Sequence, residues 1–399
     1  MSEPAAFYIK PSSMEPLFPE DREHRLAGLA GEVLKASSRL FGSLHPVTRK
    51  SLTEVVRQMN SYYSNLIEGH RTHPVEIEKA LQGDYSRDPA KRALQLESRA
   101  HVEVQRLVEE RIGGGETFSL CSGEFLQWVH REFYRRLPPE FRQVATTSGK
   151  VSVVEPGVFR TAQVQVGSHF PPAAGALENF MSRFALYEPM RLDPVQRIVG
   201  AAAAHHRLAW IHPFLDGNGR VIRLFTHAWM IASGIDGAGL WTVSRGLARS
   251  RSVYMDRLAA ADAQRWNDYD GRGNLTDRGL FAFCQFFLET MLDQILFMAS
   301  LLNLEAIETR FLRYGEIHSV TRGEKNIGPL LRDIFMRGTV SRGEAGRILG
   351  MPERTARRYV SDLIERRILV SDGPGQPVRL VFSSDKLGYY FPDLYPEGI

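Results

Sequence analysis

With 399 residues, 43% of them hydrophobic and 24% charged, the chain is long enough to bury a large core in two or three domains and has the make-up of a soluble globular protein. The formal charge of +4 and pI near 9.0 suit phosphate-bearing partners without requiring nucleic acid, and an ordinary solvated basic surface accounts for them equally well. Only Cys121 and Cys284 are present, far apart and outside any CxxC spacing, which excludes a disulfide framework and a thiolate zinc site and fits a reducing cytosol.

The first twenty residues, with Pro4, Pro11, Pro16 and Pro19, read as an irregular lead-in that lacks the basic start and apolar run of a signal peptide. Helical periodicity begins near Asp21, with Leu26, Leu29, Val33 and Leu34 on one face, and ends around 42–46. A second helix carries Leu52, Val55, Val56, Met59, Tyr62, Tyr63, Leu66 and Ile67 and stops at Gly69. Its end, Ser64-Asn65-Leu66-Ile67-Glu68-Gly69, sets Ser64 and Glu68 four apart on one face. Glu68 reads either as a solvated carboxylate before a glycine cap or as the partner of a cation elsewhere, because a carboxylate at a helix C-terminus opposes the macrodipole.

Residues 74–82 and 88–111 predict a short and a longer helix, Gly113-Gly114-Gly115 breaks the chain, and 124–136 is helical again before Pro138-Pro139. The pattern then changes. Residues 150–154 and 163–167 are β-rich, with Pro156-Gly157 as the turn between them, and predict a β-hairpin inserted into a helical domain. Gln163 and Gln165 would face away from Val164 and Val166, leaving one face buried and one wet. The free edge of such a hairpin is normally an aggregation liability and sometimes a docking site for an extended peptide.

Helices resume at 177–187 and 193–210 and, after a glycine-rich loop, at 222–234, 250–263 and 279–304. The last contains the most apolar run, but Gln285, Glu289, Asp293 and Gln294 interrupt it, so it reads as a core helix, and no membrane partner is expected. Residues 267–274 read as a turn, since Arg272 and Gly279 stand where a calcium loop needs oxygen ligands. From Glu305 a charged helix leads to Gly315 and then a separate module. Helix, short turn, helix and the strands 368–370 and 378–382 resemble a winged helix-turn-helix, with Arg354, Arg357 and Arg358 on the second helix as candidate DNA-contacting groups. Winged helices also serve as protein-interaction modules.

The chemistry gathers in the loop before residue 222. Gly217-Asn218-Gly219 ahead of Arg220 at a helix start predicts backbone N–H groups pointing outward as an anion nest, with glycines keeping side chains out of the way. Arg220 and Arg223 supply guanidinium donors for phosphate oxygens, Asp216 is a short carboxylate suited to Mg²⁺, and His212 is a base candidate of the type that works near neutral pH. Singly, His212 reads as a structural histidine, Asp216-Gly217 as a turn and Arg223 as a surface charge. Together they point to phosphate chemistry.

His212-Pro213-Phe214-Leu215-Asp216-Gly217-Asn218-Gly219-Arg220-Val221-Ile222-Arg223 resembles the full signature of the Fic-domain family, whose members typically transfer AMP from ATP to protein hydroxyls. Gly157-Val158-Phe159-Arg160 through Val164-Gln165-Val166-Gly167 resembles the family's flap hairpin. Ser64 to Gly69 resembles its inhibitory motif, in the subclass that carries it N-terminal to the core. The implied fold is mainly α: a Fic-type helical bundle with an inserted β-hairpin flap, plus a C-terminal winged helix-turn-helix domain. The expected division is 1–112 for the N-terminal helical region with the inhibitory motif, 113–305 for the catalytic core, 306–325 for a linker and 326–399 for the winged helix.

The resemblance implies that His212 takes the proton of a target Ser, Thr or Tyr hydroxyl and that Asp216 holds Mg²⁺ on the α- and β-phosphates of ATP. Gly217, Asn218 and Gly219 would cradle the phosphates, and Arg220 and Arg223 would steady the β- and γ-phosphates. Val164, Gln165 and Val166 of the flap would dock the target backbone as an added strand. Tyr254 would stack on or border the base, while Met255 and Asp262 stand where relatives often have a second aromatic and an asparagine. Glu68, with Ser64, would pair with Arg223 and leave ATP bound unproductively. The expected activity is an autoinhibited, cytoplasmic protein adenylyltransferase. The alternatives are removal of AMP by the same site and a nucleotide-sensing, DNA-binding transcriptional regulator. Candidate partners are a target protein, the chain itself as a self-modification substrate, DNA through the winged helix, and a second copy in a homodimer.

Overall fold

The computed structural model describes residues 8–115, 117–145 and 151–395; Pro4 and Lys150, among the residues read above, lie outside them. The chain is mainly helical, and proline or a capping side chain opens many of its helices. Helix α1 spans Arg25–Phe41, and Pro46 and Pro74 open α2 (Pro46–Ile67) and α3 (Pro74–Leu81). Asp88 caps α4 (Pro89–Gly113) by accepting from the Ala90 and Lys91 N–H groups, and Ser122 caps α5 (Gly123–Tyr134) through the Phe125 N–H. After strands β1 (Gln143–Ala145) and β2 (Val151–Val153) come α6 (Leu177–Phe184), α7 (Pro194–Ile211, capped by Asp193) and α8 (Asn218–Ala232). Helices α9 (Val243–Arg249), α10 (Arg251–Asp262) and α11 (Asp277–Leu301) complete the bundle. The short α9 carries no periodicity long enough to announce it in the sequence.

Helix α11 is long and apolar enough to cross a membrane by length and composition. Here it is the core of the bundle, packed against α1, α7, α9 and α10, with Phe283, Phe287, Leu288 and Met291 fully buried. The lead-in is irregular but anchored. Met14 is fully buried, the Glu15 carbonyl accepts from the Leu275 N–H, and Arg183 binds the Glu15 carboxylate.

Three expectations change. The predicted hairpin pairs differently: β2 lies antiparallel to β1, upstream, and 163–167 joins no strand, making only the isolated bridge Val166 to His169. Pro156-Gly157 does form a turn, with the Val158 N–H donating to the Glu155 carbonyl, but the chain leaving it does not come back along β2. The Gly157 N–H donates to His130 Nδ1, and a Cβ there would press into the Arg131 side chain and the Gln127 carbonyl, so this corner is pinned onto α5. Nor does residue alternation sort burial, since Val166 is 43% exposed. Second, α8 starts at Asn218 and not at 222, because Gly217 at φ +77° begins it one turn earlier.

Third, the charged helix does not end at Gly315. It runs on as α12 (Leu304–Arg322) through most of the expected linker. Gly315 is there for close packing: a Cβ would collide with the Gly328 backbone. Beyond it lie α13 (Gly328–Arg337), α14 (Arg342–Ile348), α15 (Glu353–Glu365), the antiparallel pair β3 (Leu369–Ser371) and β4 (Val378–Leu380), and α16 (Leu387–Tyr390).

Candidate active site

The loop between α7 and α8 is held open by its own side chains. Asn218 turns inward: its amide donates to the Phe214 carbonyl and its Oδ1 accepts from the Phe214 N–H, so only its backbone N–H is left to face a ligand. The first N–H groups of α8 have no carbonyl one turn back, and with the helix dipole they form a positive rim. Gly217 lies against the Tyr134 ring; a Cβ on it would come within 2.6 Å of that ring, so a side chain there is excluded.

His212 ends α7 in the left-handed region, φ 49°, which is unusual for a residue with a Cβ. Arg160 holds it there: its Nε donates to the His212 carbonyl, its Nη2 to the Pro172 carbonyl, and its N–H to the Pro213 carbonyl. Burial, with Arg160 and His169 nearby, lowers the His212 imidazole to about 4, so it is neutral at pH 7. Asp216 takes the Tyr134 hydroxyl on Oδ2 at 2.7 Å. Since His130 Nδ1 accepts from Gly157, its Nε2 carries the proton and donates to the Asp216 carbonyl, 3.3 Å away. Burial lowers His130 to about 4, which keeps that neutral form.

Among the described residues no group of three or more His, Cys, Asp or Glu side chains is disposed to hold a metal. Asp216 nevertheless fits Mg²⁺, which binds through one carboxylate, retained waters and substrate phosphates.

Both arginines of the loop helix are held by carboxylates. Arg223, 3% exposed, donates from Nε to Ser64 Oγ at 2.8 Å and from Nη2 to the Ser64 carbonyl at 3.0 Å and Glu68 Oε1 at 2.6 Å. The Glu68 carboxylate sits over Gly219, where a Cβ would collide with it. Burial alone would raise the Glu68 pKa, but Arg223 and Arg220 outweigh it and hold the group below the usual carboxylate range. Arg220 is paired with Glu97 of α4, and its Nη2 lies 3.1 Å from His70 Nδ1, which also meets Glu97 Oε2 at 2.6 Å.

Glu97, His70, Arg160, His130 and Tyr134 were missed in the sequence. Glu97, His130 and Tyr134 stand on remote helices with no motif around them, whereas Arg160 lies in the flap-like stretch and His70 directly follows the Ser64–Gly69 motif, neither with a role of its own in the sequence reading. Tyr254 is 4% exposed and near Arg223, and it donates its hydroxyl to His205 Nε2 at 2.8 Å, because Thr226 occupies Nδ1. Asp262 faces His206 Nε2 at 3.2 Å and His169 Nδ1 at 3.6 Å, and Met255 is 37% exposed.

The structure thus brings together Ser64, Glu68, Asp216, Gly217, Asn218, Gly219, Arg220 and Arg223, with His212 at the other end of the same loop. Val164 is half-buried, and Gln165 and Val166 are exposed beside it. Arg354, Arg357 and Arg358 are exposed on α15, with Arg357 paired to Glu353, and take no part in this cluster.

Residues 121–230 match the model of the Fic/DOC family. A stretch of 90 residues is 43% identical to a protein adenylyltransferase Fic of Culex quinquefasciatus, covering 22% of this chain and 17% of that protein. Another of 87 residues is 40% identical to a protein adenylyltransferase Fic of Drosophila erecta, covering 22% and 18%. The likeness therefore spans less than a fifth of the length of these relatives. A solved Fic family protein from Desulfovibrio desulfuricans G20 is similar over 94% of this chain and 98% of its own, with a TM-score of 0.51 at 18% identity, which is a likeness of fold.

Proposed function

We propose, from the premise that residues 121–230 form a Fic domain, that the protein is an autoinhibited adenylyltransferase that moves AMP from ATP to a hydroxyl of a target protein. The observation that carries the autoinhibition is the Glu68 carboxylate, bonded to Arg223 and lying over Gly219 in the anion nest. It fills the space and takes the guanidinium that a terminal phosphate would need.

With Glu68 displaced, the α8 N–H groups and the two arginines bind the triphosphate, and Mg²⁺ on Asp216 would neutralise phosphate charge. His212, half-buried and held neutral by desolvation with Arg160 and His169 nearby, accepts the proton of a Ser, Thr or Tyr hydroxyl. The hydroxyl oxygen then bonds to the α-phosphorus as the bond to pyrophosphate breaks. Tyr134 and Arg160 orient Asp216 and His212 and do not touch the reacting atoms.

The test is to incubate wild type, Glu68→Gly and His212→Ala with labelled ATP and cell lysate and to identify labelled proteins by mass spectrometry. Glu68→Gly should raise transfer roughly 5- to 150-fold, the range of typical coupling energies. His212→Ala should lower it by a factor on the order of 10²–10⁴. Equal labelling by wild type and Glu68→Gly would sink the inhibitory reading. The exposed Arg354, Arg357 and Arg358 of α15 support a second reading, DNA binding by the C-terminal module. It calls for salt-dependent affinity for a defined duplex that is lost when these arginines become alanine.

A further inference from the structure

Residues 264–275, between α10 and α11, hold Trp266 and Tyr269 in solvent, 89% and 90% exposed. The loop is built to keep them there. Gln264 and Leu275 form a bridge, the Arg265 N–H donates to the Asn274 carbonyl, and the Arg265 guanidinium donates to the Gly271 carbonyl. The Asp270 carboxylate accepts from the Trp266 N–H, the Thr276 hydroxyl and the Arg278 N–H. Gly271, at φ +80°, leaves room for Asp277 where a side chain would collide. A loop tied at so many points could have buried its two largest rings and leaves that stabilisation unused, the mark of a contact surface.

Beneath the rings is a hollow of about 560 Å³, lined by Arg257 and Ala260 of α10 and Arg278 and Ala282 of α11. Its neighbour, of about 290 Å³, is lined by Ser168, His169 and Phe170 at the end of the flap segment and by Asp262 of α10. Ala263 lines both, so the two hollows adjoin along the end of α10, one beside Ser168–Phe170 and the other beside Trp266, and together make a trough. The charges along it are uneven. Asp268 is paired with Arg265, Asp270 is used by the loop, and Asp262 faces His169 and His206. Arg257 and Arg278 have no carboxylate within ion-pair distance among the described residues.

We propose that this trough is a docking lane for the target protein and that its occupant is an acidic segment next to the hydroxyl that receives AMP. Carboxylates of that segment meet Arg257 and Arg278, and its apolar or aromatic side chains lie on Trp266 and Tyr269. The proposal rests on the adenylyltransferase reading for the identity of the occupant. Its location rests on the two hollows adjoining at Ala263, with the nearer one lined by Ser168, His169 and Phe170 just after the flap residues.

The experiment uses the full chain carrying His212→Ala, which binds without transferring, and a random glutamate–tyrosine copolymer as probe, followed by calorimetry. Binding is expected, weakening as salt rises. Trp266→Ala and the pair Arg257→Glu, Arg278→Glu should each weaken it roughly tenfold or more, as hot-spot aromatics and arginines do. A lysine–tyrosine copolymer should not bind. Because the substituted side chains are exposed, an unchanged melting temperature shows that the variants are folded. Affinity that ignores these substitutions, or equal affinity for both copolymers, overturns the proposal. So does tighter, Trp266-dependent binding of single-stranded oligothymidylate, which assigns the surface to nucleic acid. Failure here leaves the labelling test of transfer intact, and failure there leaves this binding measurement intact.

Discussion

At the scale of single residues, His212 and the glycines around it show why the site needs these residue types. Burial lowers the His212 imidazole to about 4 from its ordinary 6.5. In the nucleotide-free protein its titration, followed by NMR, should therefore have a midpoint near 4. The neutral, base-competent form is complete above that and lost as pH falls through it. A midpoint near 6.5 would contradict the burial argument. Gly217 is required twice over, by its φ of +77° and by the Tyr134 ring against it. Gly217→Ala should cost about 1–3 kcal/mol in denaturant unfolding. Gly28, exposed within α1 with nothing near its Cβ position, should instead gain about 0.4–1 kcal/mol as alanine. Gly217 and His212 were legible because the motif is contiguous. The contacts of Tyr134 with Asp216 and of Arg160 with the His212 carbonyl were not, because nothing local in the sequence ties a tyrosine on α5 to an aspartate 82 residues later.

Between elements, the end of α2 is fastened at more than one point. Gly69, at φ +88°, lets the His70 N–H reach back to the Asn65 carbonyl, which fixes where Glu68 points. The His70 side chain then meets Glu97 on α4, and Glu97 meets Arg220 on α8. His70→Ala should speed hydrogen exchange over residues 64–72 and raise AMP transfer, though less than Glu68→Gly does. In a Glu68→Gly background it should add little to transfer. A hydrogen bond to the Glu97 carboxylate raises the His70 pKa. A raised folded value means that this fastening is at full strength below the unfolded value of about 6.5 and is lost as pH rises through the folded one. Exchange at 64–72 should therefore quicken as pH rises through the folded His70 pKa, beyond the intrinsic pH dependence of exchange measured in the His70→Ala variant. The hairpin was misread at this same scale. β-rich composition identified 150–154 as strand-like but could not choose its partner, the alternating 163–167 did not pair with it, and in the structure β2 lies on β1 with Gly157 pinned by His130.

Over the whole molecule, α2 is also gripped by the C-terminal residues. Thr48 donates to the Phe335 carbonyl and Tyr63 to the Leu394 carbonyl, while Tyr395 packs on Tyr62 and Tyr63. Arg367 pairs with Glu78 of α3, and Arg245 of α9 donates to the Asp393 carbonyl. The C-terminal residues are thus part of the setting of the helix that carries Glu68. Removing residues from 326 onward should uncover Tyr62 and Tyr63, each 1% exposed, lower the melting temperature and speed exchange along α2. An unchanged melting temperature would mean that these contacts contribute nothing to α2.

What the amino-acid sequence determined by itself is whatever depends on neighbours along the chain. That includes most of the helices, set by 3.6-residue periodicity and caps though not every boundary, the glycine nest of the loop, and the placing of Ser64 and Glu68 on one helical face. Only the tertiary structure decided which distant groups meet. Glu97 takes Arg220, β2 pairs upstream, and Trp266 and Tyr269 stay in water. The physical reason is that helical periodicity reports which face of a segment is buried and says nothing of its partner. A side chain 123 residues from Arg220 becomes its ion pair only once α4 and α8 have packed together.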